Sequence, residues 1–208
     1  MSLAAKGSVS CYFAREGSSD EGLIRIIETT LYSLGYDDVN VVPLRKKGTV
    51  RTLLKEVFSL SPGCSLVFVH RDSDNVDRNE RRNEIEQALI GFNLSSNQEI
   101  VPIIPVKESE SWILHALNDE EYAERVGFSE VLGLPSRKDI PGLRNAKEEL
   151  ERLCAVRDEK LCKGKRRRRG AGFSSHRRNL FESLDEIDYL NDCLSFKEFY
   201  LDLSSRLF

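Results

Sequence analysis

The chain has no apolar run near the roughly 20 residues needed to cross a bilayer, no basic-then-apolar signal layout at its start, and no internal repeat. A cytoplasmic protein with no membrane partner is the expectation; Met1-Ser2-Leu3 reads like an appended leader. None of the five cysteines stands in Cys-x-x-Cys spacing, and their odd number argues against a disulfide framework. Reduced, mostly buried thiols are expected, with Cys11 and Cys64 acting as small apolar residues in strands. Structural zinc is correspondingly disfavoured, and His115 and His176 offer no metal-like pairing. There is a single tryptophan, Trp112, read as a core anchor.

What is present is 208 residues, 40 % hydrophobic, enough for one full core with a small appendage and too short for a second large catalytic domain. The net charge of −3 conceals an asymmetry. Eight Lys or Arg residues and no acid lie between residues 163 and 178, leaving 23 basic against 34 acidic side chains elsewhere, a formal −11. Lys163, Lys165, Arg166, Arg167, Arg168, Arg169, Arg177 and Arg178 are too basic to pack in a core. They would attract a polyanion such as nucleic acid in a salt-sensitive manner, or else form a merely solvated loop.

Hydrophobic periodicity places strands at 9–14, 39–43, 65–70 and 100–106. Helices alternate with them: one from the Gly17-Ser18-Ser19 turn to Gly35 with Leu23, Ile26, Ile27, Leu31 and Leu34 inward, then 49–60 and 78–90. A loop with Arg45, Lys46, Lys47 and Gly48 follows the second strand. Ser18 and Glu21 have capping-box spacing. Pro102 and Pro105 suggest that the fourth strand lies at an edge or bends. Beyond residue 118 only helical patterns remain, at 120–126, 143–156, 181–190 and 196–207. The expected fold is α/β: a mainly parallel sheet flanked by helices in a core over 7–118, and a helical C-terminal region, 119–208, carrying the basic loop 163–178.

Three acidic clusters fall just past predicted strands: Glu16 with Asp20 and Glu21, then Asp72 and Asp74, then Glu108 and Glu110. In open parallel sheets ligands bind outside the carboxyl ends of the strands, and carboxylates gathered there make a hard oxygen site suited to Mg²⁺ or Mn²⁺ and phosphate chemistry. Each cluster also has a plain reading. Asp72 and Asp74 suit helix capping, and Asp20 and Glu21 suit a first helical turn. Residues i and i+2 diverge on a helix, so Glu108 and Glu110 share a target only if Glu108 remains in the loop; Glu110 is the better candidate. His70 can contact phosphate or orient water, or be a satisfied strand residue. Arg71 and Arg15 either contact phosphate or relieve carboxylate repulsion.

The order Glu16-Gly17-x-x-Asp20 after a first strand, followed by an apolar strand ending in Asp72-x-Asp74, resembles the Toprim domain of topoisomerases, primases and OLD-family nucleases. Val101-Pro-Ile-Ile-Pro-Val-Lys-Glu-Ser-Glu-Ser-Trp-Ile-Leu114 resembles the corresponding segment of the stand-alone DUF4276-type members. The resemblance covers about residues 9–118. It implies a Toprim-like core in which Glu16 is the acid-base or metal-linked group and Asp72 and Asp74 bind Mg²⁺, with Glu110 and Glu108 completing the pocket. It further implies a Mg²⁺-dependent nuclease or phosphodiesterase on DNA or RNA, a role in defence against phage or mobile elements, and a separately encoded ATPase or other defence protein as partner. Arg71, beside the first aspartate, departs from the neutral residue common in the family. Two rival readings stand: a non-catalytic nucleic-acid-binding or assembly module with a vestigial pocket, and a HAD-type phosphatase with Asp72 as nucleophile. The latter fits Asp72-Ser73-Asp74-Asn75-Val76 but not its place after the third strand.

Overall fold

The computed structural model describes residues 6–45, 48–74, 76–161 and 172–208. Lys46, Lys47, Asn75, Cys162 and the basic residues 163–169 lie outside the described residues. Four strands, β1 (Ser8–Ala14), β2 (Asp38–Pro43), β3 (Leu66–His70) and β4 (Glu99–Ile103), form an all-parallel sheet in the order β2-β1-β3-β4. The helices between them are α1 (Leu23–Ser33), α2 (Val50–Leu60) and α3 (Arg78–Leu89); α4 (Glu110–Ala116), α5 (Glu120–Arg125), α6 (Ala146–Leu161), α7 (Phe173–Glu182) and α8 (Leu194–Leu207) follow β4. The molecule is therefore an α/β fold with a helical C-terminal region, as expected.

Strand alternation sorts the side chains into two cores. Cys11 and Phe13 of β1 and Leu66 and Phe68 of β3 pack with α1 and the C-terminal helices, including Trp112, Phe181, Phe196 and Leu203. Ala14, Val67 and Val69 face the other way, against Val50, Leu54 and Val57 of α2 and Ile85 of α3. All of β3 is buried, as its unbroken apolar sequence demands of a central strand covered on both faces. The chain steps to one side of β1 through α1, then returns across it through α2 to build β3 and β4. That reversal makes a topological switch point between β1 and β3.

Several boundaries differ from the sequence reading, each for a local reason. The first helix opens as a 3-10 turn, Ser18–Gly22, and the carboxylate that reaches back to the Gly17 amide is Asp20 (2.7 Å), not Glu21; Glu21 pairs with Arg15 at 2.7 Å. The tighter turn brings Asp20, third in it, over the Gly17 N–H. The fourth strand stops at Ile103, ahead of Pro105, and β4 is an edge strand, which tolerates Pro102. The expected helix at 181–190 is replaced by α7, which starts inside the segment assigned to the basic loop, and by a separate 3-10 turn, Ile187–Leu190. Helix α6 starts later and runs further than 143–156. Asn145 Oδ1 accepts from the Glu148 amide at 2.9 Å, which sets that start.

Cys11, Cys64, Cys154 and Cys193 are free and buried. Trp112 is fully buried, edge-on to Phe196, and its indole N–H donates to Ser195 Oγ at 2.8 Å. No helix among the described residues is long and apolar enough to cross a membrane.

Helix α7 crosses the start of α1 at Gly22, where a Cβ would lie 2.5 Å from Cβ of the buried Phe181. Gly22→Ala is expected to cost about 1–3 kcal/mol through this overlap. Thermal unfolding followed by circular dichroism should show the melting temperature falling by about 2–4 °C per kcal/mol; an unchanged melting temperature would show that α7 is not packed there.

Candidate functional site

Parallel pairing of Ala14 with Val69 sets the ends of β1 and β3 side by side, so Glu16, two residues further, emerges next to Arg71 and Asp72. The Asp72 amide donates to Glu16 Oε2 (3.2 Å), and Glu16 Oε1 pairs with Arg71 Nη1 (3.2 Å). The loop after β3 is pinned to the loop after β4. The Lys107 amide donates to Ser73 Oγ (2.6 Å), and the Asp74 amide donates to the Lys107 carbonyl (2.8 Å). Asp74 and Lys107 both take positive φ, 50° and 61°. That conformation is costly for Lys in particular and persists only where the surroundings enforce it.

His70 shares the face of β3 that holds Leu66 and Phe68, and is buried. Its Nε2–H donates to Asp72 Oδ1 at 3.1 Å, and the Ser109 amide donates to the same oxygen at 3.0 Å. On the other side His70 Nδ1 lies 3.5 Å from Asp20 Oδ2, too long for a good hydrogen bond but close enough for strong attraction. Burial alone would lower the His70 pKa; the carboxylates Asp20 and Asp72 outweigh it and raise the value to about 9. Asp20 is held down at about 2, since His70, the Gly17 amide and Arg177 together outweigh the desolvation that opposes them.

Beneath Asp72 lies a second buried network. Arg177 Nε donates to Glu110 Oε1 (2.6 Å), and its Nη2 donates to Ser109 Oγ (2.9 Å) and Asp20 Oδ1 (3.3 Å). Nη1 donates to the Ser19 carbonyl, and the guanidinium lies over the Phe181 ring. Arg177 is only 5 % exposed, so a residue expected to grip a nucleic-acid backbone is instead an internal counter-ion. Arg178, one position on, points outward and pairs with Glu182 at 2.7 Å. Glu110 is equally buried; desolvation raises its pKa against the pull of Arg177. Its position makes it a brace for Arg177 and Ser109. Glu108 accepts from the Lys147 amide at 2.9 Å and so helps to cap α6.

The expected cluster is thus brought to one sheet edge but divided. Glu16 meets the backbone amide of Asp72. Asp74 turns toward Arg81 (3.2 Å), Glu110 sits below, and Glu108 serves a helix end. Among the described residues no group of three or more His, Cys, Asp or Glu side chains is arranged to hold a metal ion. The donor chemistry nevertheless suits a hard cation: Glu16, Asp72 and Asp74 offer only oxygen and keep solvent access. Charge points the same way. Six carboxylates (Glu16, Asp20, Asp72, Asp74, Glu84, Glu110) face four cationic groups (His70, Arg71, Arg81, Arg177), a formal excess of two negative charges.

Sequence reasoning overlooked Arg177 as an interior residue, although Phe173, Arg177, Leu180, Phe181 and Leu184 recur at helical spacing. Arg81 and Glu84, on an otherwise polar helix, gave no signal of their own. Comparisons with family models, curated proteins and solved structures return no match.

Two stability outcomes follow from this arrangement. Arg177→Ala leaves Asp20 and Glu110 buried without their cation, and is expected to lower urea-unfolding stability by about 3–5 kcal/mol. The folded pKa of His70, about 9, stands above its ordinary 6.5, so its contribution is full below pH 6.5 and is lost as pH rises through 9. In EDTA-containing buffer, wild type should lose about 3 kcal/mol across that window. His70→Asn should lack this component; parallel pH profiles for the two proteins would contradict the assignment.

Proposed function

We propose that this chain is a Toprim-like, Mg²⁺-dependent phosphodiesterase that hydrolyses DNA or RNA in the cytoplasm. The observation that carries the reading is the hydrogen bond from the Asp72 backbone amide to Glu16, which sets these two acidic residues side by side just past β1 and β3, at the switch point of a parallel sheet. Glu16, Asp72 and Asp74 would hold the cation. A bound divalent ion there supplies a lowered pKa for an attacking water and polarises the phosphoryl oxygen.

The protein's own groups prepare that chemistry. His70 and the Ser109 amide both occupy Asp72 Oδ1, fixing the carboxylate plane and directing Oδ2 elsewhere. In this reading Glu16, partly exposed, would accept a proton from water through the oxygen not engaged by the cation. The zipped loops bearing Ser73 and Lys107 keep Asp72 and Asp74 from drifting as substrate binds. The basic composition of residues 163–169, with exposed Arg178, supports a polyanionic substrate held through its backbone without sequence readout. A role in defence against mobile elements, with a separately encoded ATPase or other defence protein as partner, belongs to the same proposal and rests on the Toprim resemblance.

A non-catalytic nucleic-acid-binding module is the second reading, favoured by one observation: Arg71 and Arg81 already neutralise Glu16 and Asp74. One experiment separates the two. Plasmid, single-stranded DNA and RNA are incubated with the protein and Mg²⁺ or Mn²⁺. Wild type is expected to cleave at least one substrate, and Asp72→Ala to abolish cleavage. Glu16→Gln should slow it by about 10²–10⁴-fold, the usual worth of a positioned general base. Absence of cleavage by wild type, or undiminished cleavage by Asp72→Ala, rejects the enzymatic reading; salt-dependent binding indifferent to metal would then support the module.

A further inference from the structure

Four ion pairs in series run around the loop that carries the aspartates. Glu16 Oε1 meets Arg71 Nη1 (3.2 Å), Arg71 Nη2 meets Glu84 Oε1 (3.3 Å), Glu84 Oε2 meets Arg81 Nη1 (3.0 Å), and Arg81 Nη2 meets Asp74 Oδ2 (3.2 Å). Glu84 is the hub, giving one oxygen to each guanidinium. It sits one turn after Arg81 on α3, whose one buried anchor is the next residue, Ile85. Arg78 and Arg82 tie the same helix to Glu198 and Asp202 of α8. The hub is therefore mounted on a fixed element, whereas Glu16 and Asp74, at the two ends, are on loops.

The guanidiniums are incompletely used. Among the described residues, the Nε–H groups of both Arg71 and Arg81 are buried and have no hydrogen-bond acceptor. Unmet buried donors are unfavourable, so each guanidinium gains from a rearrangement that brings it a further acceptor. Arginine presents its donors as a planar fork that matches the oxygens of a phosphate. The end pairs with Glu16 and Asp74 are partly exposed, and ion pairs of that kind hold weakly enough to be exchanged.

We propose that Arg71 and Arg81, braced by Glu84, form a phosphodiester-binding pair that exchanges partners. When a divalent cation takes Glu16 and Asp74, the two guanidiniums stay on Glu84 and turn their freed donors to the non-bridging oxygens of the substrate phosphate. Rule of opposite charge drives both halves of the exchange. A cation alone must displace two arginines and then sit beside them, and a phosphate alone meets arginines already neutralised by carboxylates. Arriving together, each removes the other's obstacle, so cation and phosphodiester bind with positive coupling that is reciprocal by linkage. This deepens the cation-site reading of Glu16, Asp72 and Asp74 and rests on it; Arg71 and Arg81 become substrate-contacting groups and Glu84 a positioning residue.

The test is Mn²⁺ binding to the full chain by isothermal titration calorimetry, with and without a short single-stranded phosphorothioate oligodeoxynucleotide. For wild type, the oligonucleotide should tighten Mn²⁺ binding by about 5–150-fold, the usual range of coupling between sites. Arg71→Gln/Arg81→Gln should bind Mn²⁺ more tightly than wild type when no oligonucleotide is present, and should show no tightening on its addition. Arg81→Gln alone, the milder change, should move both quantities in the same directions by less, and serves if the double variant does not fold. Equal Mn²⁺ affinity in wild type and variants, an oligonucleotide without effect on wild type, or no Mn²⁺ binding by any form overturns the proposal. The readout requires no bond cleavage, so a protein that shows the exchange yet hydrolyses nothing would refute the enzymatic reading and leave the exchange standing.

Discussion

A carboxylate withdrawn from water must be given a cation or hydrogen-bond donors, and the edge of this sheet is built around that requirement. Asp20 and Glu110 are almost completely buried, and Arg177 reaches both. His70, inside the same wall, stays charged because Asp20 and Asp72 flank it. Remove the guanidinium and the imidazolium, and two acids would face an apolar core of Phe13, Phe68 and Phe181. The position of Asp72 depends on this buried layer. One of its oxygens is fixed by His70, itself held by Asp20, and by the Ser109 amide, whose side chain is held by Arg177.

The site therefore has two storeys with different physics. The lower one, His70, Asp20, Arg177, Glu110 and Ser109, is shielded from solvent, and each charge there has a specific partner; it orients and does not exchange. The upper one, Glu16, Arg71, Glu84, Arg81 and Asp74, is partly exposed to water, where individual ion pairs contribute little and can be traded. The strained backbone at Asp74 and Lys107 lies at the join between the loops, where two hydrogen bonds hold the strain in place.

The C-terminal helices have a share in this. Pattern reading separated them from the sheet, yet α4 to α8 bury Trp112, Phe181, Phe196 and Leu203 in the same core as Phe13 and Phe68 of the strands. Through Arg177 of α7 they supply the cation beneath the carboxylates, and through Glu198 and Asp202 of α8 they secure α3, which carries Arg81 and Glu84.

Strand and helix alternation, the buried character of β3, the edge position of the proline-bearing β4 and the carboxylates at strand ends were all legible in the residue pattern, because each depends on near neighbours: period 2 or 3.6, turn residues, an apolar run. The sequence could also place Glu16 and Asp72 at the same end of a parallel sheet. It could not say which charge meets which. Arg177 lies 67 residues from Glu110 and 157 from Asp20. Such pairings arise only when strand order and helix docking are set, since a charged side chain carries no periodic signal for its partner. Whether an arginine in a basic stretch faces solvent or an acid in the core is decided by the face of the helix it lands on. Tertiary structure made that choice in favour of Arg177 and against its neighbour Arg178, because burial of Phe173, Leu180 and Phe181 fixed the rotation of α7.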